Sequence, residues 1–411
     1  MKEKIDLLTL VNSALSVVNG RHVVRQFLHE NPVSSSIYLI AIGKAAESMA
    51  AGAIDALGEN KIHQSLIITK YGHSQNLFRK QHNCTYIEAG HPYPDQNSLK
   101  AGSALQTFLH TAPSDIQFIF LISGGASSLV EVLPEGIHPE DLVKINRWLL
   151  ASGLEIDKIN AIRKKLSAIK GGRLALLLGT HETTVLLISD VPGDDTSVIG
   201  SGLLAVDRDT PTLITQLELP QWIADLMRTA PPFPEPDNKC FQHIRSHILA
   251  NNHIALKEAA VMGAKLGYEV YLHDQLVGGE ARTTGEKLAR EVIQGPPGVY
   301  LWGGETTVTL PSHPGRGGRN QTVALAAAQI INGYNNIHFL SVGTDGTDGP
   351  TEEAGGLVDG STIRQGQSRG FDVEQSLANA DAGSFLTVCG DLIKTGPTGT
   401  NVMDIIIGLK I

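Results

Sequence analysis

The stretch FIFLISGGASS, residues 118–128, runs five apolar residues into a turn of serine and glycine. A short apolar run that stops at such a turn reads as a buried strand. Without polar alternation, that strand is covered on both faces, as strands of parallel sheets are. The same grammar recurs around it. IYLIAIG at 37–43 stops at Gly43, and Lys44 opens the Ala-rich helix AAESMAAGAIDAL. SLIITK ends at Lys70, CTYIEAG covers 84–90, and TVLLISDVPGDD covers 184–195. Helical segments separate these strands: Ile5, Leu8, Val11, Leu15 and Val18 fall near helical spacing within the first 30 residues, and 98–111 reads likewise. The alternation predicts an α/β fold whose mostly parallel sheet is covered by helices, with ligands beyond the carboxyl ends of the strands.

The texture changes between Pro211 and Asn238, where Pro220, Pro231, Pro232, Pro234 and Pro236 crowd one stretch. PPFPEPDN cannot be a continuous helix or central strand, which predicts one domain over 1–238 and another over 239–411. The second half repeats the strand-to-glycine-loop logic. A helix, strand and helix fit 246–294, VYLWGGETTVTL reads as a strand with a glycine break, and GRGGRNQ leads into the helix TVALAAAQIING. HFLSVGTDGTDGP gives a strand and loop, FLTVCG a further strand, and VMDIIIGLK follows a glycine-rich loop.

Composition narrows the function. The 411 residues are 42% hydrophobic, 18% charged and 5% aromatic, with 43 Gly, a mixture unlike disordered, collagenous or coiled-coil chains. The net charge of −9 offers no global attraction to nucleic acid. Cys84, Cys240 and Cys389 are too widely spaced for a disulfide framework or zinc pattern. The polar residues of the first segment argue against a secretory signal, and no apolar run is long enough for a membrane span. A cytoplasmic enzyme on a small-molecule substrate is the expectation, and the hydrophobic content permits a homodimer.

Several loops could carry chemistry. Gly43-Lys44, after a buried strand, pairs open backbone N–H groups with a cation suited to an anionic oxygen. Ser123, Gly124, Gly125 and Ser127 could cradle phosphate through N–H groups and hydroxyls, although serine also caps tight turns. Arg163, Lys164, Lys165, Lys170 and Arg173 form the densest positive patch, suited to a carboxylate or phosphate or to a solvated helix face, with Gly171-Gly172 ending one helix. Asp190, Asp194 and Asp195 follow a strand end, where carboxylates serve a magnesium ion, a catalytic base or a turn. Glu305, Asp345 and Asp348 offer further carboxylates, and Arg319, preceded by glycines, suits a phosphoryl clamp. Thr398, Gly399 and Asn401, within the loop 395–401, add hydroxyl and amide groups. A dinucleotide fingerprint is missing, because neither SGGASS nor GRGGRN matches GxGxxG.

Taken together, AIGKAAESMA, SGGASSLVEVLPEGI, NAIRKKLSAIKGGRLA, LLISDVPGDDTSVIGSG, GGETTV, GRGGRNQ, TDGTDGPTEEAGG and TGPTGTNVMD resemble the glycerate 2-kinases whose C-terminal part is the MOFRL domain. The resemblance covers about residues 5–409 and implies a larger Rossmann-like N-terminal domain plus a smaller α/β C-terminal domain, with the MOFRL region at about 298–405. It implies transfer of a phosphoryl group from ATP, with Mg²⁺, to the 2-hydroxyl of D-glycerate. Lys44 and Arg319 match basic residues that act in an interdomain cleft of the family. On that basis Asp190 orients the hydroxyl or ligates the metal together with Asp194, Glu305 and Asp345. Ser123 to Ser127 and Thr398 to Asn401 position ATP, and Arg163, Lys170 and Arg173 bind the acceptor. Some members carry the name hydroxypyruvate reductase, so an NAD(P)H-dependent reductase and a non-enzymatic nucleotide or sugar-phosphate sensor are the alternatives. The sequence has SGGASSL where the family has SGGGSAL, and SGLL at 201–204 in place of SGPT. The methyl added at Ala126 is expected to narrow the phosphate loop.

Overall fold

A computed structural model describes residues 2–74, 77–78 and 83–411. Its chain divides into two compact units, one of residues 23–249 and one that joins 1–22 to 250–411. The 23–249 unit is built on a sheet of six strands: β1 (Ile37–Ile42), β2 (Ile62–Lys70), β3 (Cys84–Ala89), β4 (Gln117–Ile122), β5 (Thr183–Ile188) and β6 (Ile244–Ala250). Their order is β3-β2-β1-β4-β5-β6, and the first five pair in parallel. This is the strand order of a doubly wound dinucleotide-type sheet, whose direction of winding reverses between the two central strands.

Every residue of β1 is buried, and so are Phe118 to Ile122 of β4. Tyr38, Ile40 and Ile42 share a core with Phe118, Phe120, Ile122, Ala101 and Leu105. The parallel register pairs Ile37 with Gln117 and Ile42 with Ile122, so the turns after these strands start at the same level. A smaller cluster of Ile137, Ile145, Leu149, Ile162, Leu166, Ile223 and Met227 joins the helices Pro139–Ala151, Ile156–Lys165 and Gln221–Thr229.

The other unit carries β7 (Val270–Leu272), β8 (Gly298–Gly304), β9 (Ile337–Gly343), β10 (Gly355–Asp359), β11 (Leu392–Ile393) and β12 (Asp404–Lys410). The order is β11-β10-β9-β12-β8-β7, with β7 and β8 parallel and the other pairs antiparallel. The helix Arg319–Ile330 is buried nearly throughout, because its alanines let the helix Ala281–Gln294 approach closely. A Cβ at Gly285 of that second helix would collide with the Val323 carbonyl.

Two sequence readings change. FLTVC, 385–389, is helical, within Ala382–Cys389: a short, mostly apolar run fits a buried helix as well as a strand, and Phe385 and Leu386 are fully buried. Gly390, at φ 75°, closes that helix in the left-handed conformation glycine tolerates. Gly171-Gly172 precedes the helix Arg173–Leu178, and the preceding helix already ends at Lys165.

The two units also divide the chain differently from 1–238 and 239–411. β6 belongs to the first sheet, which carries that unit past residue 238. The helix Lys2–Val17 belongs with the C-terminal residues, burying Leu7, Leu10, Val11 and Ala14 against the helix Asn252–Lys265. Polar contacts fix it there: Tyr268 Oη donates to Asp6 at 2.6 Å, Ser13 Oγ to Glu258 at 2.8 Å, and Lys4 pairs with Asp359 and Asp391 at 3.0 Å each.

Candidate active site

In the 23–249 unit the turns after β1 and β4 interlock where the sheet reverses its winding. Ser123 N–H donates to the Ile42 carbonyl at 3.0 Å, and Lys44 N–H to the Gly124 carbonyl at 2.9 Å. Ala45 N–H donates to Ser123 Oγ at 3.0 Å, and Thr69 Oγ1 to the Gly43 carbonyl at the same distance. Gly43, at φ 133°, lies so close to Ser123 that a Cβ would overlap it. These bonds set Lys44 beside Gly125 independently of its own side chain. Ser123 is fully buried and acts as a tie between the two turns, while Gly125 and Ser127 keep partial exposure. Ser123→Ala is expected to cost about 1–3 kcal/mol by stranding the buried Ala45 N–H, a loss that urea unfolding would read directly.

The turn after β5 joins this region. Ser127 Oγ and Ser201 Oγ lie 2.6 Å apart. Asp190 follows the strand and is half-buried, Asp194 sits in a left-handed conformation at φ 56°, and Asp195 accepts from Ser197 N–H at 2.8 Å. The methyl of Ala126 does not narrow the loop. It is fully buried and directed toward Gly200, where a built Cβ would be 3.3 Å from it; Leu203 and Leu204 are buried in the same core.

Most of the positive patch turns inward. Lys164 pairs with Asp207 at 2.7 Å, and Lys165 donates to the carbonyls of Ala230 and Pro231. Lys170 forms a buried ion pair with Glu131, which also accepts from Ser167 Oγ at 2.6 Å. Arg173, 2% exposed, donates to the carbonyls of Lys164, Lys170, Pro231 and Pro232 and lies 4.1 Å from the Phe233 ring centre. Lys165 and Arg173 therefore hold the proline-rich segment in place, while Lys170 is tied to Glu131. Arg163 differs: it is half-buried, its Nε donates to Asn146 at 3.3 Å, and burial lowers its pKa against the influence of Tyr93.

In the other unit Arg319 opens a buried helix and faces carboxylates. Its Nε and Nη2 donate to the two oxygens of Asp404 at 2.6 and 2.9 Å, and Nη1 pairs with Glu305 at 2.9 Å. Burial works to lower the guanidinium's pKa, but Asp404, then Glu305 and Asp348, outweigh it and hold the group charged. Asp348 accepts from the N–H groups of Asn320 and Gln321 at 3.1 and 2.8 Å; burial pushes its carboxyl up to about 6 despite those bonds. Asp345 accepts from Thr347 N–H at 2.9 Å, which makes it a turn-forming residue of the TDGTDG loop.

That loop packs against residues 395–401. Thr344 Oγ1 accepts from Val402 N–H at 2.8 Å, and Thr398 Oγ1 donates to the Thr344 carbonyl. The Thr398 and Gly399 carbonyls are taken by Asn19 Nδ2 and Gly20 N–H, at 2.9 Å each. Gly399 and Asn401 are buried, and Thr400 Oγ1 is buried with no hydrogen-bond partner among the described residues.

Comparison with known proteins decides what this arrangement belongs to. Residues 6–221 match the domain of unknown function DUF4147, and residues 298–404 match the MOFRL family. The D-glycerate 2-kinase of Thermotoga maritima is 36% identical over 381 residues, covering 91% of this chain and 90% of the relative. The glycerate 2-kinase of Pyrococcus horikoshii is 36% identical over 419 residues, covering 97% and 92%. A crystal structure of glycerate kinase from Thermotoga maritima superposes with a TM-score of 0.85 at 34% identity, over the whole of both chains. The chain belongs to the glycerate 2-kinase family.

Family membership also accounts for the name hydroxypyruvate reductase, which other relatives bear. For a glycerate 2-kinase family member the donor set matters. Among the described residues, no three or more His, Cys, Asp or Glu side chains gather as a metal site. Within the 23–249 unit Asp190 and Asp194 stand after the same strand, and within the other unit Glu305 and Asp345 stand after two others; one or two carboxylates of this kind are what magnesium takes from a protein when phosphate oxygens complete its shell. Within the 395–401 loop, the buried Thr400 hydroxyl without a described partner fits a hydrogen-bonding ligand. No helix among the described residues is long and apolar enough to cross a membrane.

Two side chains that stand beside the predicted residues escaped the sequence reading. Asp404 reads as the polar start of an apolar strand, and only the fold reveals it as the partner of Arg319. His91, in HPYPD after β3, lies against Gly125; a histidine in a proline-rich loop at a strand's carboxyl end was the available signal.

Proposed function

We propose that this chain is an ATP- and Mg²⁺-dependent glycerate 2-kinase that phosphorylates D-glycerate at the 2-hydroxyl, giving 2-phospho-D-glycerate and ADP. The observation that carries the reading is Lys44 fixed beside the Gly124-Gly125 turn, at the reversal point between β1 and β4. In doubly wound sheets ligands bind there. A lysine beside a glycine turn suits transferred phosphoryl oxygens, where catalysis rests on positioning and charge.

Lys44 and Arg319 supply the fixed positive charges. Asp190 is proposed to orient the acceptor hydroxyl or ligate magnesium, with Asp194, Glu305 and Asp345 as further candidate ligands. When bound, magnesium bridges phosphate oxygens and offsets their charge. The backbone around Gly124, Gly125 and Ser127, with Thr398, Gly399 and Asn401, positions the nucleotide. Arg163, which is half-buried and bonded only through Nε to Asn146 among the contacts described above, takes the acceptor carboxylate. Lys170 and Arg173 support that assignment structurally, since their charged groups already have internal partners. The free thiols of Cys84, Cys240 and Cys389 agree with a reducing cytoplasm.

The test is product identification by phosphorus NMR with D-glycerate, ATP and Mg²⁺, alongside hydroxypyruvate and NADH. The expected result is a 2-phosphoglycerate resonance. Phosphorylation at the 3-hydroxyl would overturn the acceptor pose, and NADH oxidation without phosphoryl transfer would replace the kinase reading with the reductase.

A further inference from the structure

Gly125 has a left-handed φ of 86°, which already favours glycine. The direction in which another residue would carry its Cβ is also occupied. A Cβ built there meets His91 Cδ2 at 3.0 Å, His91 Nε2 at 3.3 Å and Lys44 Cγ at 3.4 Å. The imidazole and the lysine stem therefore lie together on the partly exposed side of the turn. His91 reaches this place from the far side of the sheet, because β3 is separated from β4 by β2 and β1.

The loop that carries it is built to hold one position. Asp95 Oδ1 accepts from Ser98 N–H at 2.9 Å while Ser98 Oγ accepts from Asp95 N–H at 3.0 Å, a reciprocal cap on the helix Gln96–His110. Tyr71 Oη donates to Asp95 Oδ2 at 2.8 Å, and Asn97 Nδ2 donates to Tyr71 Oη at 2.8 Å and to the Glu88 carbonyl at 3.0 Å. Only glycine fits at position 90, just before His91, because a Cβ there would stand 2.7 Å from the Tyr93 carbonyl oxygen. These bonds fix the loop on which the half-buried His91 is carried, while Pro92 and Tyr93 remain exposed.

We propose that His91 is a further substrate-contacting residue, whose Nε2–H donates a hydrogen bond to an oxygen of the phosphoryl group held beside Lys44. The assignment rests on the reading of Lys44 as the phosphate-binding group. It adds a neutral or cationic donor on the opposite side of Gly125 from the backbone that ties the two turns. Donors aimed at developing charge act chiefly on the transition state, so their loss appears in kcat more than in KM.

The experiment uses the full chain labelled with ¹⁵N-histidine and inorganic phosphate as the probe, with steady-state kinetics in parallel. Phosphate is expected to move one imidazole resonance, identified as His91 by its disappearance in His91→Ala. In the kinase assay His91→Ala is expected to lower kcat about a hundredfold with the D-glycerate KM within about threefold. His91→Gln, which offers an N–H at similar reach, is expected to recover at least about tenfold of that loss. If His91→Ala fails to fold by circular dichroism, the wild-type titration and the His91→Gln kinetics carry the same test.

An unmoved His91 resonance overturns the proposal. So does a His91→Ala protein whose kcat stays within about threefold of wild type. A phosphate-sensitive His91 in a chain that makes no phosphoglycerate supports the contact and sinks only the kinase reading.

Discussion

Lys44→Ala is expected to lower kcat for phosphoryl transfer about a hundredfold or more while leaving the fold intact, because one fixed charge on the transferred group is worth a few kcal/mol. The position of the turn does not depend on the side chain: the N–H groups of Lys44 and Ala45 make the bonds to Gly124 and Ser123. Lys44→Met isolates the charge further, since it keeps a flexible stem beside Gly125 and removes only the ammonium. Both variants are checked by steady-state kinetics alongside far-ultraviolet circular dichroism. A folded Lys44→Met with undiminished turnover would remove Lys44 from the reaction.

Asp404→Ala is expected to produce the largest loss of stability at the site. Asp404 is 2% exposed and accepts both strong hydrogen bonds from Arg319, while Glu305, the remaining partner, is exposed. Removing one member of a buried pair leaves an uncompensated charge at a cost of about 3–5 kcal/mol, and the partial exposure of Arg319 places this case near 3 kcal/mol. Thermal or urea unfolding reads that loss. Asp404→Asn keeps the shape and one acceptor, so it is expected to fall between wild type and Asp404→Ala in both stability and turnover. Equal stability of wild type and Asp404→Ala would show that Glu305 alone holds the guanidinium.

The first sheet was legible because its strands announce themselves: FIFLISGG and IYLIAIG have no polar alternation and stop at turns that demand glycine. Lys44 and Ser123 could be picked out for the same reason, since they follow such strands directly. What the residues do once folded was less accessible. The patch at 163–173 looks uniform as a charge run, yet Lys164, Lys170 and Arg173 are buried while Arg163 is half-buried, and the buried three are held by Asp207, Glu131 and the carbonyls of 231 and 232 far from them in the chain. FLTVCG misled because a short apolar run carries no period long enough to separate helix from strand. Asp404 and His91 were silent for a similar reason, since their importance comes from neighbours 85 residues and more than 30 residues away. Proline crowding marked a true change of texture, but it could not show that the opening helix belongs with residues beyond 250.

That last pairing has a consequence for how the protein is made. Residues 2–17 leave the ribosome long before the helix that covers Leu7, Leu10, Val11 and Ala14, which begins only at Asn252. During synthesis the 23–249 unit can complete its sheet while the leading helix waits with an apolar stripe uncovered, a state in which chains bind chaperones or one another. The family match at 6–221 cuts across this division, and the match at 298–404 omits both the leading helix and its partner. A fragment trimmed to either match would lose that closure, so the inherited sequence modules and the pieces able to fold alone are different objects in this chain.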